Sequence, residues 1–155
     1  LEISEGEREV SEYQKYSKLP YFKTPTNIFK TQEEIRRFLK KYDLRAISFS
    51  EISEYKVIIL QFALNTEKQL LKFRFKIDMP MEERYRKQVY RGLYHYLKAR
   101  FTSVIFGINT VEQEFMAEII MKLPNGTEGT MRELYGDKVL DLKSDLILPF
   151  KDEAK

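Results

Sequence analysis

Between Tyr85 and Ile105 the apolar residues Val89, Tyr90, Leu93, Tyr94, Leu97, Phe101 and Val104 recur at steps of three and four. That period predicts one long helix, Glu82 to Phe106, with a broad stripe turned to the core. Gly107 can adopt the left-handed conformation that closes a helix, and Thr110 with Gln113 forms a capping box for the next one. A second helix is therefore expected from Val111 to Lys122, with Val111, Phe115, Ile119 and Ile120 buried and Glu112, Glu114, Glu118 and Lys122 outward. Leu123-Pro124-Asn125-Gly126 ends it in a turn.

Upstream, Thr31 followed by Glu34 reads as another capping box, opening a helix to Tyr42 with Ile35, Phe38 and Leu39 on its apolar side. Three strand patterns follow. Leu44 to Ser50 alternates, whereas Val57 to Leu64 is almost unbroken apolar and reads as a central strand covered on both faces. Leu71, Phe73, Phe75 and Ile77 alternate with Lys72, Arg74 and Lys76, a half-buried strand with one cationic face. Short connections make the three strands an antiparallel meander. The expected class is α+β: a helix, a three-stranded meander, then the long helix and the second helix packed on the sheet. Its expected core comprises Ile35, Phe38, Ile58, Leu60, Phe62, Phe73, Phe75, Leu93, Leu97, Phe101, Phe115 and Ile119.

The flanks have weaker periodicity. Residues 1–29 read as an acidic, aromatic arm, with a short helix from Glu7 to Ser17 and extended chain at Leu19-Pro20 and Thr24-Pro25. Tyr13, Tyr16, Tyr21 and Phe22 make it too aromatic for a free linker, so it is expected to pack on the domain or on a neighbouring subunit. The single domain is expected to cover 30–150, ending in a capped short helix from Thr130 and a docking segment through Val139, Leu142 and Leu146, before a frayed tail at 151–155.

Composition adds a charge layout and an exclusion. The 155 residues carry 27 Lys and Arg against 24 Asp and Glu, a net charge of only +3 that does not by itself mark a nucleic-acid binder. The distribution is uneven: Lys68 to Arg100 has a local balance of +7 and Asn109 to Lys155 one of −4. There is no cysteine, which rules out disulfides and thiolate chemistry. No run has the length of a membrane span, and the start lacks the basic and apolar regions of a signal peptide, so a cytoplasmic location is expected.

The long helix carries Arg84, Lys87, Arg91, His95 and Lys98 at three- and four-residue steps, a cationic ridge opposite the apolar stripe. Each like-charge pair costs a few tenths of a kcal/mol, roughly, and an anionic partner relieves that repulsion. Enzymatic chemistry finds little support. His95 is the only histidine and has no sequence-local carboxylate to orient it. Glu114 and Glu118 share a helical face that suits a hard cation, but Lys122, four residues on, favours an ordinary ion pair. With no phosphate-binding glycine loop and no hydrolase or zinc motif, no cofactor and no metal is expected.

The run Lys98-Ala99-Arg100, then Gly107-Ile108-Asn109-Thr110-Val111-Glu112-Gln113-Glu114-Phe115-Met116-Ala117, then Leu123-Pro124-Asn125-Gly126-Thr127, resembles a block of small uncharacterised phage and prophage proteins. Those share a basic helix ending in Gly-Ile-x-Thr, an acidic helix and a Leu-Pro-Asp-Gly-x-Thr turn; Gln113 and Asn125 depart from the pattern. The resemblance covers about a quarter of the chain. It implies a viral or mobile-element context and no chemistry. The element order also echoes double-stranded RNA-binding domains and single-strand annealing proteins, although Met81-Glu82-Glu83 stands where the former have a basic cluster. The expectation is an accessory protein that binds nucleic acid, single-stranded by preference, through Arg84, Lys87, Arg91, His95 and Lys98, helped by Lys72, Arg74 and Lys76. The alternative is a non-enzymatic subunit that self-associates through its basic middle and acidic C-terminal part.

Overall fold

β1 (Arg45–Ile52), β2 (Val57–Asn65) and β3 (Leu70–Asp78) form an antiparallel sheet in sequence order, the meander that the alternation predicts. The computed structural model describes residues 3–122 and 124–136. On one face of the sheet Ile58, Leu60 and Phe62 of β2 stand beside Ile77, Phe75 and Phe73 of β3, and these pairs pack under the helices. The other face is more open. There Ile59 and Gln61 lie next to Lys76 and Arg74, half-buried rather than covered, so β2 is packed on one face and not on two.

Two helices cover the inner face. α2 (Ile28–Lys40) starts one turn earlier than its sequence suggested. Asn27 caps it by accepting from the Lys30 backbone at 2.7 Å, and Thr31 lies buried inside the helix instead of at its end. α3 (Glu83–Ile105) follows its predicted bounds within a residue at each end and buries Tyr85, Tyr90, Leu93, Leu97 and Phe101. Ile105, read as the last residue of the stripe, is exposed.

The second helix is the main difference. α4 (Val111–Glu114) is a single turn with the expected capping box, and a 3₁₀ turn, Met116–Glu118, continues it. The chain then extends: Ile119 bridges to Phe73, β4 (Ile120–Lys122) pairs with β5 (Glu128–Thr130), and Asn125-Gly126 turns this hairpin. The apolar residues Val111, Phe115 and Ile119 fit a helical period, but the β-branched Ile119-Ile120 pair favours extension once the edge of β3 is within reach. Glu118, expected outward, is buried as a result. α5 (Met131–Tyr135) has the Thr130–Glu133 capping box as expected. The docking segment and tail expected beyond it lie outside the described residues.

Every residue of the expected core is either buried or, for Phe38 and Ile119, half-buried against it. Phe115 sits at its centre, with the rings of Phe62, Phe75 and Phe101 at 6.2, 5.6 and 5.2 Å. The N-terminal arm packs on α3. α1 (Glu5–Tyr16) places Tyr16 flat against Tyr85 at 5.2 Å, and the buried Gln88 donates its amide hydrogens toward the carbonyls of Tyr16, Leu19 and Pro20. Among the described residues no helix is long and apolar enough to cross a membrane.

Candidate nucleic-acid interface

Because Phe73 and Phe75 point into the core beneath α3, the cations that alternate with them point away from it. The strand cations and the helix ridge therefore occupy opposite sides of the molecule. Arg74 makes a two-armed ion pair with Glu133 of α5, each contact 2.6 Å, and Lys76 lies 3.5 Å from the same carboxylate. Lys72 is exposed.

The ridge residues have distinct surroundings. Arg84 bonds Glu82 at 2.6 Å and lies over the Tyr85 ring. Arg91 reaches across to α2, meeting Glu34 at 2.7 Å, and its guanidinium stands 5.0 Å from the centre of the Tyr94 ring. Lys98 lies two turns on from Arg91, its ammonium 5.1 Å from the same ring. Lys87 and Lys98 form no ion pair with a described acidic residue.

His95 is covered by the arm. Tyr21 stacks on it at 4.7 Å and nearly parallel, and Tyr94 flanks it at 5.3 Å. Tyr21 holds a φ of 64°, a conformation that costs about 1–3 kcal/mol in a residue with a side chain. The Gln88 bonds to the preceding carbonyls and the stacking on His95 hold it there. Burial lowers the His95 pKa from its ordinary 6.5, and the Arg91 and Lys98 charges lower it further. Protons then bind the unfolded chain more readily than the folded one, so this contribution to stability is present above 6.5 and is lost as the pH falls. Ring-proton chemical shifts of His95 should titrate with a midpoint below 6.5. A midpoint above it would show that the arm does not cover the ring.

The structure brings a second row of cations, on α2, beside the ridge. Lys30, Glu34, Arg37 and Lys41 recur at steps of four, three and four, so they lie along one side of α2. Glu34 fixes that side against Arg91 of α3. The Phe38 ring meets Tyr94 and Phe101 just beneath. The ridge of α3 and the row on α2 are thus two banks of one seam, with Arg91–Glu34 as its floor. The missed signal was the shared face of Glu34 and Arg37, which becomes informative only once α3 is known to pack beside it.

Residues from Arg100 to Phe115 build the corner between α3 and α4. Glu114 accepts from Arg100 at 2.6 Å, from Ser103 at 2.9 Å and from the Asn109 amide at 2.9 Å. Arg100 also donates to the Glu114 carbonyl and the Tyr96 hydroxyl, and lies over the Phe115 ring. Burial raises the Glu114 pKa, but the hydrogen bonds from Arg100, Asn109 and Ser103 outweigh it and leave the carboxyl below its ordinary value. Glu114 and Glu118 both face Arg100, Glu118 at 3.9 Å, in place of a cation site or an ion pair to Lys122. Among the described residues no three His, Cys, Asp or Glu side chains converge as metal ligands.

Comparison with family models, with curated proteins and with solved structures gave no match. The functional reading therefore rests on the site itself.

Proposed function

We propose that the chain is a small accessory protein of a virus or mobile element that binds single-stranded nucleic acid along the seam of α2 and α3. The observation that carries this reading is that cations recur along both helices, Lys87, Arg91 and Lys98 on α3 and Lys30, Arg37 and Lys41 on α2, with Arg91 joined to Glu34 between the two rows. Along each bank the spacing of ~1.5 Å per residue spreads these charges over roughly 16 Å. A flexible single strand can lay successive phosphates on such a track. Tyr94, with two cations on its ring, and the half-exposed Tyr21 supply aromatic surface beside it, which binds bases without sequence preference. The strand cations face the other way and two of the three serve Glu133, so they contribute little.

The test is fluorescence anisotropy of a labelled oligothymidylate with the wild-type chain and with a variant in which Arg37, Lys41, Lys87 and Lys98 are all Gln. None of the four pairs with a described acidic residue, so the variant is expected to fold. Binding at low salt should weaken at least tenfold. Equal affinity of the two proteins would sink the proposal, and no binding by the folded wild type at low salt would leave self-association as the reading. For that second reading the exposed Ile105, Phe106 and Ile108 at the α3–α4 corner are the specific support.

A further inference from the structure

A cleft of about 320 Å³ opens on the side of α3 away from the seam, at the lower end of the roughly 300–1,000 Å³ of pockets that take small ligands. Its walls are Ile77 of β3 and Val89, Leu93 and Tyr96 of α3, with Glu118 and Arg132 closing one end and Lys76 at the rim. Two features of the cleft are unexplained by the fold.

The first is Gly92. Glycine inside a helix costs about 1 kcal/mol relative to alanine. Nothing lies within 4 Å of where its Cβ would be, so internal packing does not demand the missing side chain. What the glycine does is leave the helix backbone bare at the cleft, where a flat ligand can lie directly against it.

The second is Glu118. Its side chain is only 1% exposed, and Arg132 bonds one oxygen, Oε1, at 2.9 Å through Nε and approaches it at 2.7 Å through Nη2. The other oxygen, Oε2, has no hydrogen-bond donor; the nearest cationic nitrogen, on Arg100, is 3.9 Å away. A buried carboxylate oxygen without a donor is destabilising unless a ligand completes it. Arg132, with 59% of its side chain exposed, is the cover: swung outward it uncovers the carboxylate and presents its guanidinium at the rim.

We propose that this cleft binds a nucleotide whose base carries an exocyclic amino group. The amino group donates to Glu118, as carboxylates do to the amino group of cytosine. The ring lies against Gly92 beside Tyr96, and the phosphate takes the guanidinium that Glu118 releases. The exchange explains the ligand class. A nucleoside would break the Arg132–Glu118 pair without offering Arg132 a new anion, and inorganic phosphate would leave Glu118 bare. A uracil base would turn a carbonyl oxygen toward the carboxylate. The polar end of the cleft, Glu118 and Arg132, takes no part in the α2–α3 seam, so this inference stands or falls independently of the proposed nucleic-acid binding.

Isothermal titration of the full chain with CMP, UMP, cytidine and inorganic phosphate tests it, together with a Gly92→Leu variant that fills the cleft. CMP should bind at least about tenfold more tightly than the other three ligands, a difference of about 1.4 kcal/mol. In Gly92→Leu that binding should vanish while the melting temperature is unchanged or higher, because leucine is the better helix former. Oligonucleotide affinity at the seam should be untouched by this variant. No heat from CMP, or equal binding of CMP, UMP and phosphate that survives Gly92→Leu, would overturn the assignment. The latter pattern would mean ion exchange at surface cations only.

Discussion

Replacing Phe115 by Ala is expected to cost about 3–5 kcal/mol, the range for removing a large aromatic side chain from a packed core. Phe115 is fully buried, and its ring ties the end of α3 to β2 and β3. Its removal would leave Phe62, Phe73, Phe75 and Phe101 facing a cavity, and it would also take away the surface over which the Arg100 guanidinium lies at 4.8 Å. Against a total stability of roughly 5–15 kcal/mol, such a loss leaves little margin. For a domain of this size the melting temperature should fall by roughly 6–20 °C. A loss below about 1 kcal/mol in denaturant titration would show that the corner does not pack on the sheet.

Replacing Arg100 by Ala is also expected to be damaging near neutral pH, by about 2–3 kcal/mol, because it breaks a partly buried, hydrogen-bonded ion pair. Arg100 is a shared partner: it holds Glu114 at 2.6 Å and stands 3.9 Å from Glu118. Without it Glu114 keeps only neutral donors, Ser103 and Asn109. The effect has a pH signature. Because the Glu114 pKa is lowered in the folded chain, its contribution is present above the ordinary value of 4.5 and disappears as the pH falls through the lowered one. The gap between wild type and Arg100→Ala should therefore be wide at neutral pH and shrink below 4.5. A gap that stays constant through that range would mean that Arg100 acts through its packing on Phe115 alone.

The elements that sequence reading placed well are those whose period is long or whose caps are specific. The stripe of α3 repeats over six turns, and the boxes at Thr110 and Thr130 each bond as their spacing predicts. The start of α2 was misplaced because two cap candidates compete, and Asn27 accepts from Lys30 one turn ahead of Thr31. The segment after Phe115 was misread for a different reason: whether Ile119 and Ile120 extend depends on the edge of β3, forty residues or more distant in the chain, and no local period reports it. Exposure was the least legible property. Glu118 looks like a surface residue until Arg100 and Arg132 are seen to converge on it, and His95 looks free until Tyr21 stacks on it. The ridge of α3 could be read from one helix, but the seam needed the partner helix, because Glu34 and Arg91 are far apart in sequence.

If phosphates bind along the α2–α3 seam, the salt dependence of oligonucleotide binding must report the seam cations. Each phosphate neutralised on a single strand contributes roughly 0.7 to the slope of log affinity against log salt. Loss of Arg37, Lys41, Lys87 and Lys98 together should therefore make the slope shallower by roughly 3. The substitutions of Lys72 and Lys76 to Gln, on the opposite side of the molecule, should leave it unchanged. A slope that responds to the strand cations and not to the seam would contradict the account.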